Sequence, residues 1–148
     1  MINNRDNPRI LSAATAVPPH RVEQGDTKEF ASRLFDGKFR DLDRLLPIFD
    51  NGEIETRHFC RPLEWFGREW SFPERNDLGV EHALELSEKA ARRCLNRAGV
   101  KPEEVGALFF ISTTGISTPS LDAKLLFELG FSRNLKRIPV RGRGSGGG

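Results

Sequence analysis

The chain has 148 residues, 37% hydrophobic and 30% charged, a composition typical of a globular domain rather than a disordered or fibrous protein. No run of about 18 apolar residues occurs, and the amino-terminal residues are polar with both charge signs. The sequence therefore predicts neither a membrane span nor a secretion signal, and it favours the cytosol. Two cysteines, Cys60 and Cys94, are too few for a disulfide framework or a zinc site, so we expect reduced thiols.

The net charge of +2 conceals an asymmetry along the chain. Residues 130–148 contain five basic side chains and no acid, whereas the rest of the chain has 18 basic and 21 acidic residues. A basic Arg-Gly tail can contact the phosphates of a nucleic acid, and a non-enzymatic binding module is one interpretation of it. The tail RGRGSGGG is short and has no interleaved aromatic residue, which disfavours nucleic acid as a partner.

The first half of the chain predicts one strand and two short helices. The apolar segment Arg9–Val17 stops at Pro18 and Pro19, as a buried strand that ends in a loop would. Asp26 or Thr27 can cap a first helix that ends at Asp36-Gly37. Apolar residues at helical spacing follow in two groups, Phe30 with Leu34 and Phe35, and Leu42 with Leu45, Leu46 and Phe49. Residues 60–77 have aromatic residues without periodicity and predict a packed loop in which those aromatics are buried.

The second half alternates helices with strands. The clearest helix is predicted over Gly79–Ala98, with Cys94 as a small buried hydrophobe on its apolar face and Gly99 as terminator. Gly106–Ile111 is a continuous apolar run, typical of a strand covered on both faces. Thr118 is expected to cap a helix with Pro119 in its first turn, which runs to Leu129 and closes at Gly130. Arg137–Val140 is a further strand candidate, and the order of elements favours an α/β fold with parallel pairing.

Two polar segments follow the predicted strands, residues 112–120 and residues 141–148. Ligands of parallel α/β sheets bind at the carboxyl ends of the strands, so both segments are candidate binding loops. Taken by themselves, hydroxyl side chains after a strand are more often engaged in turns and helix caps than in a substrate pocket, and that interpretation is favoured from the residues alone.

Several ordered segments resemble the type III polyketide synthases, the chalcone and stilbene synthase-like branch of the thiolase-fold enzymes. The main ones are ISTTGISTPSLDAKLLFELGFSRNLKRIPVRGRGSGGG, ILSAATAVPPHRVEQ, GEIETRHF with PLEWF, and ALELSEKAARRCLNRAGVKPEEV. The resemblance implies the amino-terminal half of a thiolase-like fold, a mixed sheet with covering helices that ends at the nucleophile strand. It also implies an incomplete domain over residues 1–140, a Gly/Arg-rich end over residues 141–148 at the nucleophile position, and no carboxy-terminal domain.

The activity that the resemblance implies is decarboxylative Claisen condensation. In that family a cysteine thiolate takes an acyl group from an acyl-CoA starter, and malonyl-CoA is decarboxylated and added repeatedly. Acyl-CoA and malonyl-CoA are thus the implied substrates, with no bound cofactor, and the full-length enzymes are homodimers. A thiolate suits this chemistry because it is both a good nucleophile and a good leaving group.

Four positions carry over from the family. Ser145 stands at the nucleophilic cysteine, Thr113 matches a pocket-lining threonine, and Thr118 matches a residue that reaches toward the neighbouring subunit's cavity. Arg44 falls where basic side chains meet the coenzyme A phosphates, although a solvated helix charge is the favoured interpretation. Because a serine hydroxyl without an adjacent base is far less ionised than a thiol, and the assisting histidine and asparagine belong to the second half, this chain alone is expected to be inactive.

The histidines do not substitute for the missing partners. We expect His82 on the surface of its helix and His20 and His58 in loops or packing, and their spacing does not predict a metal site. Two alternatives stay open at this point. One is a ketoacyl-ACP synthase III-like enzyme with a carrier-protein substrate, and the other is a non-catalytic fragment from a broken reading frame, whose uncovered sheet would favour aggregation.

Overall fold

The computed structural model describes residues 7–142, and the chain divides into two compact units. An inserted unit spans residues 17–72, and a main unit combines residues 7–16 with residues 73–142. Ser145 and the rest of the Gly/Arg-rich end after Gly142 lie outside the described residues. In the described part of the chain, no helix is long and apolar enough to cross a membrane.

The inserted unit consists of a two-stranded antiparallel sheet and short helices. Its elements are β1 His20–Glu23, α1 Gln24–Phe35, α2 Leu42–Leu45, α3 Ile48–Asn51, β2 Thr56–Phe59 and α4 Leu63–Phe66. His20 of β1 pairs with Phe59 of β2, and Glu23 pairs with Thr56. The predicted first helix is confirmed, and it ends at Phe35 before Gly37, whose positive φ of 67° favours glycine. The second predicted helix is split in two because Pro47 lies within it.

Side-chain hydrogen bonds join the elements of the inserted unit. The Gln24 amide on α1 donates to the Phe49 carbonyl at 2.8 Å and accepts from Arg57 Nε of β2, also at 2.8 Å. The expected cap at Asp26 or Thr27 is wrong, because α1 begins at Gln24 and the Thr27 hydroxyl bonds back to the Glu23 carbonyl at 3.1 Å.

The aromatic segment after β2 is more ordered than a loop. It contains α4, and the rings of Trp65 and Trp70 stack with centroids 4.8 Å apart while the Trp70 indole donates to the Trp65 carbonyl. Phe72 is 60% exposed, so the predicted burial is wrong for this residue. His20 and His58, expected in loops or packing, lie on β1 and β2.

The long helix of the main unit, α5, spans Phe72–Ala98 and begins seven residues before the predicted start. It ends before Gly99, which has a φ of 66° and confirms the predicted terminator. The expectation that His82 is a surface residue is wrong. Its side chain is only 16% exposed, because the face of α5 that is covered by other residues extends beyond the helix's apolar residues. The His82 Nδ1 atom lies 3.5 Å from the Glu85 carboxylate. The Lys89 ammonium, hydrogen-bonded to Glu85, lowers the pKa of that carboxyl.

The predicted strand at Arg9–Val17 does not form among the described residues, and the segment is fastened to α5 instead. Arg93 donates to the Thr15 carbonyl and Arg97 donates to the Ala13 carbonyl, both at 2.9 Å. Arg93 and Arg97 are four residues apart on the helix, a rise of about 6 Å, which is close to the length of two residues of extended chain. The two guanidinium groups therefore have the same spacing as carbonyls two residues apart, which point to the same edge of an extended segment.

Cys94 of α5 also contacts this segment. The Ser12 hydroxyl donates to the Cys94 carbonyl at 2.7 Å and lies 2.9 Å from the Cys94 sulfur. Cys94 is half-buried rather than fully buried, and both it and Cys60 are free thiols. The interpretation as a purely hydrophobic core residue is therefore wrong in part, because the sulfur has a polar neighbour.

The rest of the main unit is a strand, a helix and a parallel strand. After a short 3₁₀ turn at Pro102–Glu104 come β3 Ala107–Ser112, α6 Leu121–Leu129 and β4 Lys136–Arg141. β3 and β4 pair in parallel, as the alternation of elements predicts. Gly130, with a φ of 72°, closes α6 as predicted, but the expected cap at Thr118 is wrong because Ser120 occupies the N-cap position.

The core of the main unit lies between the helices and one face of this sheet. Leu125, Leu129, Phe131 and Leu135 are buried, and partly buried residues of α5 and β3 pack against them. The opposite face of the sheet is open in the described part of the chain, where Phe109 is 66% exposed and Ile138 is 38% exposed. The prediction that the first strand of this pair is covered on both faces is thus wrong for residues 7–142.

Candidate functional site

The two candidate binding loops begin at the same edge of the parallel sheet. Ser112, the last residue of β3, is in register with Arg141, the last residue of β4. One residue further on, the Gly142 amide donates to the Ser112 carbonyl at 3.3 Å, and its φ of 70° turns the backbone there. The two candidate binding loops therefore begin side by side, as far as Gly142.

The hydroxyl side chains of residues 112–118 fall into two groups, those with and those without a hydrogen bond. The Ser112 hydroxyl donates to the Thr114 carbonyl at 2.7 Å and the Ser117 hydroxyl donates to the Pro119 carbonyl at 2.6 Å. Both serine hydroxyls therefore stabilise turns of the backbone, which is the interpretation favoured from the residues alone. Thr113, Thr114 and Thr118 are exposed, and within residues 7–142 their hydroxyls have no hydrogen-bond partner. These three hydroxyls, which include the two predicted site residues Thr113 and Thr118, are available to a ligand.

The middle of this loop is held by a residue that the sequence analysis did not select. The Ile116 amide donates to Asn76 Oδ1 at 2.7 Å, and Asn76 Nδ2 donates to the Ile116 carbonyl at 2.8 Å. Asn76 belongs to the first turns of α5, 40 residues away along the chain. Asparagine in a helix interior is a weak signal, because its side chain competes for backbone groups, but no local pattern identifies the partner.

An ion pair with a buried carboxylate joins α6 to β4. Asp122, in the first turn of α6, is 1% exposed and accepts from Arg137 Nη1 of β4 at 2.8 Å. Its other oxygen, Oδ1, is buried without a hydrogen bond among the described residues. A carboxylate this deeply buried needs its partner, so the pair fixes the start of α6 against the strand that leads to position 145.

Thr113 and Thr118 lie in the main unit on the loop that follows β3, whose last residue is in register with the last residue of β4, whereas Arg44 lies in the inserted unit. Arg44 is exposed on α2, and its guanidinium has no partner in the described part of the chain, in keeping with a solvated helix charge. The fourth predicted position, Ser145, is outside the described residues. No group of three or more His, Cys, Asp or Glu side chains within residues 7–142 could hold a metal ion.

The fold and this site define an α/β protein with two candidate binding loops at the carboxyl edge of parallel strands. The family model of the chalcone and stilbene synthase N-terminal domain matches residues 2–148, and the chain belongs to this family of type III polyketide synthases. The resemblance carried by the sequence motifs is thereby confirmed.

Relatives place the chain within that family. It is 44% identical over 144 residues to a chalcone synthase-like protein of Bacillus subtilis, covering 94% of this chain and 40% of that protein. It is 32% identical to a 1,3,6,8-tetrahydroxynaphthalene synthase of Streptomyces peucetius, covering 94% of this chain and 37% of that enzyme. The crystal structure of the Streptomyces coelicolor 1,3,6,8-tetrahydroxynaphthalene synthase superposes with a TM-score of 0.79 at 27% identity, over 88% of this chain and 37% of that structure. The chain thus spans about two fifths of the length of these relatives.

Proposed function

We propose that this chain is the amino-terminal part of an enzyme that condenses malonyl-CoA onto an acyl-CoA starter. The observation that supports the proposal is the register of Ser112 with Arg141, because it starts the threonine loop and the segment leading to position 145 at one edge of the sheet. The motif resemblance and the family relatives favour this reaction over that of a ketoacyl-ACP synthase. The enzyme would act in the cytosol as a homodimer.

The proposed reaction has two bond-forming steps. First, the nucleophile at position 145 attacks the thioester carbonyl of the starter, the acyl group moves to the protein, and coenzyme A leaves as its thiol. Malonyl-CoA then loses carbon dioxide, and the resulting enolate carbon attacks the acyl-enzyme carbonyl, so that a carbon–carbon bond forms and the nucleophile leaves. Each step develops negative charge on an oxygen, which hydrogen-bond donors fixed in place would stabilise.

The chain's own residues would take three roles in this scheme. Thr113 and Thr118 would line the pocket, because their hydroxyls are exposed and unbonded in the described part of the chain. Arg44 would attract the coenzyme A phosphates, and its exposed guanidinium is free to do so. Position 145 would carry the acyl group, and the serine there makes this the weak step. A serine needs a general base, whose contribution is about 10²–10⁴-fold in rate.

The test is a chimera of residues 1–148 with the remaining carboxy-terminal part of the Bacillus subtilis relative, made with Ser, Cys or Ala at position 145. Labelled malonyl-CoA and a panel of acyl-CoA starters are the substrates, and products are resolved by chromatography. We expect Ser145→Cys to form condensation products at least about 10²-fold faster than the serine chimera, and Ser145→Ala to form none.

A control measurement and a refuting outcome complete this test. The 148-residue chain without a second part is expected to form no product from the same substrates. A Ser145→Cys chimera that folds, as judged by circular dichroism, and yet releases neither carbon dioxide nor product would refute the proposed function.

A further inference from the structure

Asn76 makes an unusual contact with the loop over residues 113–118. Its carboxamide both accepts from the amide and donates to the carbonyl of the same residue, Ile116, at 2.7 and 2.8 Å. We propose that Asn76 is the positioning residue that sets the shape of the Thr113–Thr118 loop and thereby which acyl chains the pocket accepts. The effect on acyl chains rests on the proposed function, whereas the positioning of the loop does not.

The chemistry of asparagine suits this contact. A side-chain amide has a donor and an acceptor in one plane, so it can pair with both the N–H and the C=O of a single residue, as a residue of an antiparallel strand would. Aspartate would lose the donor, and leucine of similar size would lose both groups and leave the Ile116 backbone unbonded. Asparagine is also a poorer helix former than alanine, so its presence inside α5 does not stabilise the helix. The stabilisation that it provides lies in the contact with the loop.

A second contact runs along the same face of α5. A β-carbon built at Gly115 would touch Val80 Cγ2 at 3.5 Å, and Val80 lies one helical turn after Asn76. The φ of 79° at Gly115 is in the left-handed region that glycine adopts readily. The loop therefore lies against two successive turns of α5, with Ile116 bonded at one turn and Gly115 packed at the next.

This attachment determines which groups of the loop face outward. Serine hydroxyls fix the two ends and Asn76 fixes the middle, so the backbone is held at three places. The groups left over are the hydroxyls of Thr113, Thr114 and Thr118 and the side chain of Ile116, which is 63% exposed. An exposed apolar side chain together with free hydroxyls is the composition expected for one wall of a pocket that takes a mainly apolar ligand.

The first experiment measures the exchange of the Ile116 amide hydrogen by NMR in the 148-residue chain. Asn76→Ala should accelerate this exchange about tenfold, as expected for the loss of two hydrogen bonds. Asn96→Ala is the matched control, since Asn96 lies on the same helix, is exposed and has no side-chain hydrogen bond in the described part of the chain. The control should leave the exchange of Ile116 unchanged, and an unchanged rate in Asn76→Ala would overturn the proposal.

The second experiment measures the products of the Ser145→Cys chimera with and without Asn76→Ala. A loosened loop should shift the distribution of product lengths and raise KM for long acyl-CoA starters, while malonyl-CoA decarboxylation continues at its former rate. Faster exchange with unchanged products and KM would overturn the effect on acyl chains. Absence of any product from the chimera would count against the proposed function alone, because the exchange measurement needs no catalysis.

Discussion

In the main unit five hydrophobic side chains are buried, all between Leu121 and Leu135, whereas the buried residue of the inserted unit, within residues 17–72, is the polar Thr27. The main unit packs leucines and a phenylalanine between two helices and a sheet. The inserted unit instead joins its elements through Gln24, Arg57 and stacked aromatic rings. Since apolar burial is the larger stabilising term, the main unit should provide most of the resistance to unfolding.

Leu125→Ala tests this difference with the largest expected effect. Leu125 is 2% exposed at the centre of the core, so truncation should lower the free energy of unfolding by about 2–5 kcal/mol, measured by urea titration with circular dichroism. Leu45→Ala is the control in the inserted unit. Leu45 is 54% exposed, and its loss should cost no more than about 0.5 kcal/mol. Equal effects of the two substitutions would contradict the comparison.

Arg137→Met examines the polar part of the main unit. It leaves Asp122, which is 1% exposed, as a buried carboxylate without its partner. We expect a loss of about 3 kcal/mol, at the lower end of the range for broken buried pairs because the Arg137 side chain is itself 37% exposed. Arg133→Met, at an exposed arginine without an ion pair among the described residues, should change stability by less than about 0.5 kcal/mol. Similar values for both arginines would show that the pair is not structural.

Gln24→Ala should have the smallest effect of the three and should act locally. It removes the bonds to the Phe49 carbonyl and to Arg57, for a loss of about 1–2 kcal/mol. Hydrogen exchange of a peptide spanning Thr56–Phe59, followed by mass spectrometry, should accelerate, while peptides from α6 keep their rates. Lys28→Ala, which breaks the exposed pair with Asp50 between the same two helices, should cost no more than about 1 kcal/mol. A larger effect at Lys28 than at Gln24 would contradict this account.

The sequence was sufficient for features that depend on neighbouring residues. Apolar periodicity predicts α5, the run Gly106–Ile111 predicts β3, and Gly99 and Gly130 mark the ends of two helices where a positive φ is required. The parallel pairing of β3 with β4 was also predicted, and parallel strands place their carboxyl ends at one edge of the sheet.

Features that depend on distant partners were missed. The Arg9–Val17 segment has the composition of a strand, but its carbonyls are bound by arginines 78 and 84 residues away. The role of Asn76 depends on Ile116, which no local pattern connects to it. The prediction that His82 is a surface residue was wrong because the residues that pack on α5, rather than the hydrophobicity of the helix itself, determine which of its side chains are covered. The nucleophile role of Ser145 stays a prediction, because this residue lies outside the described part of the chain.

The attachment of residues 12–15 to α5 has a consequence for self-association. An extended segment with free carbonyls on its edge can pair with the same segment of another molecule and seed a growing sheet. Here the guanidinium groups of Arg93 and Arg97 occupy the Thr15 and Ala13 carbonyls, which lie on one edge. Just before this segment, Ile10 is 92% exposed and Leu11 is 70% exposed. Exposed apolar side chains beside an unpaired edge would favour association with another molecule. By occupying these two carbonyls, Arg93 and Arg97 make that edge less able to pair with a strand of another molecule.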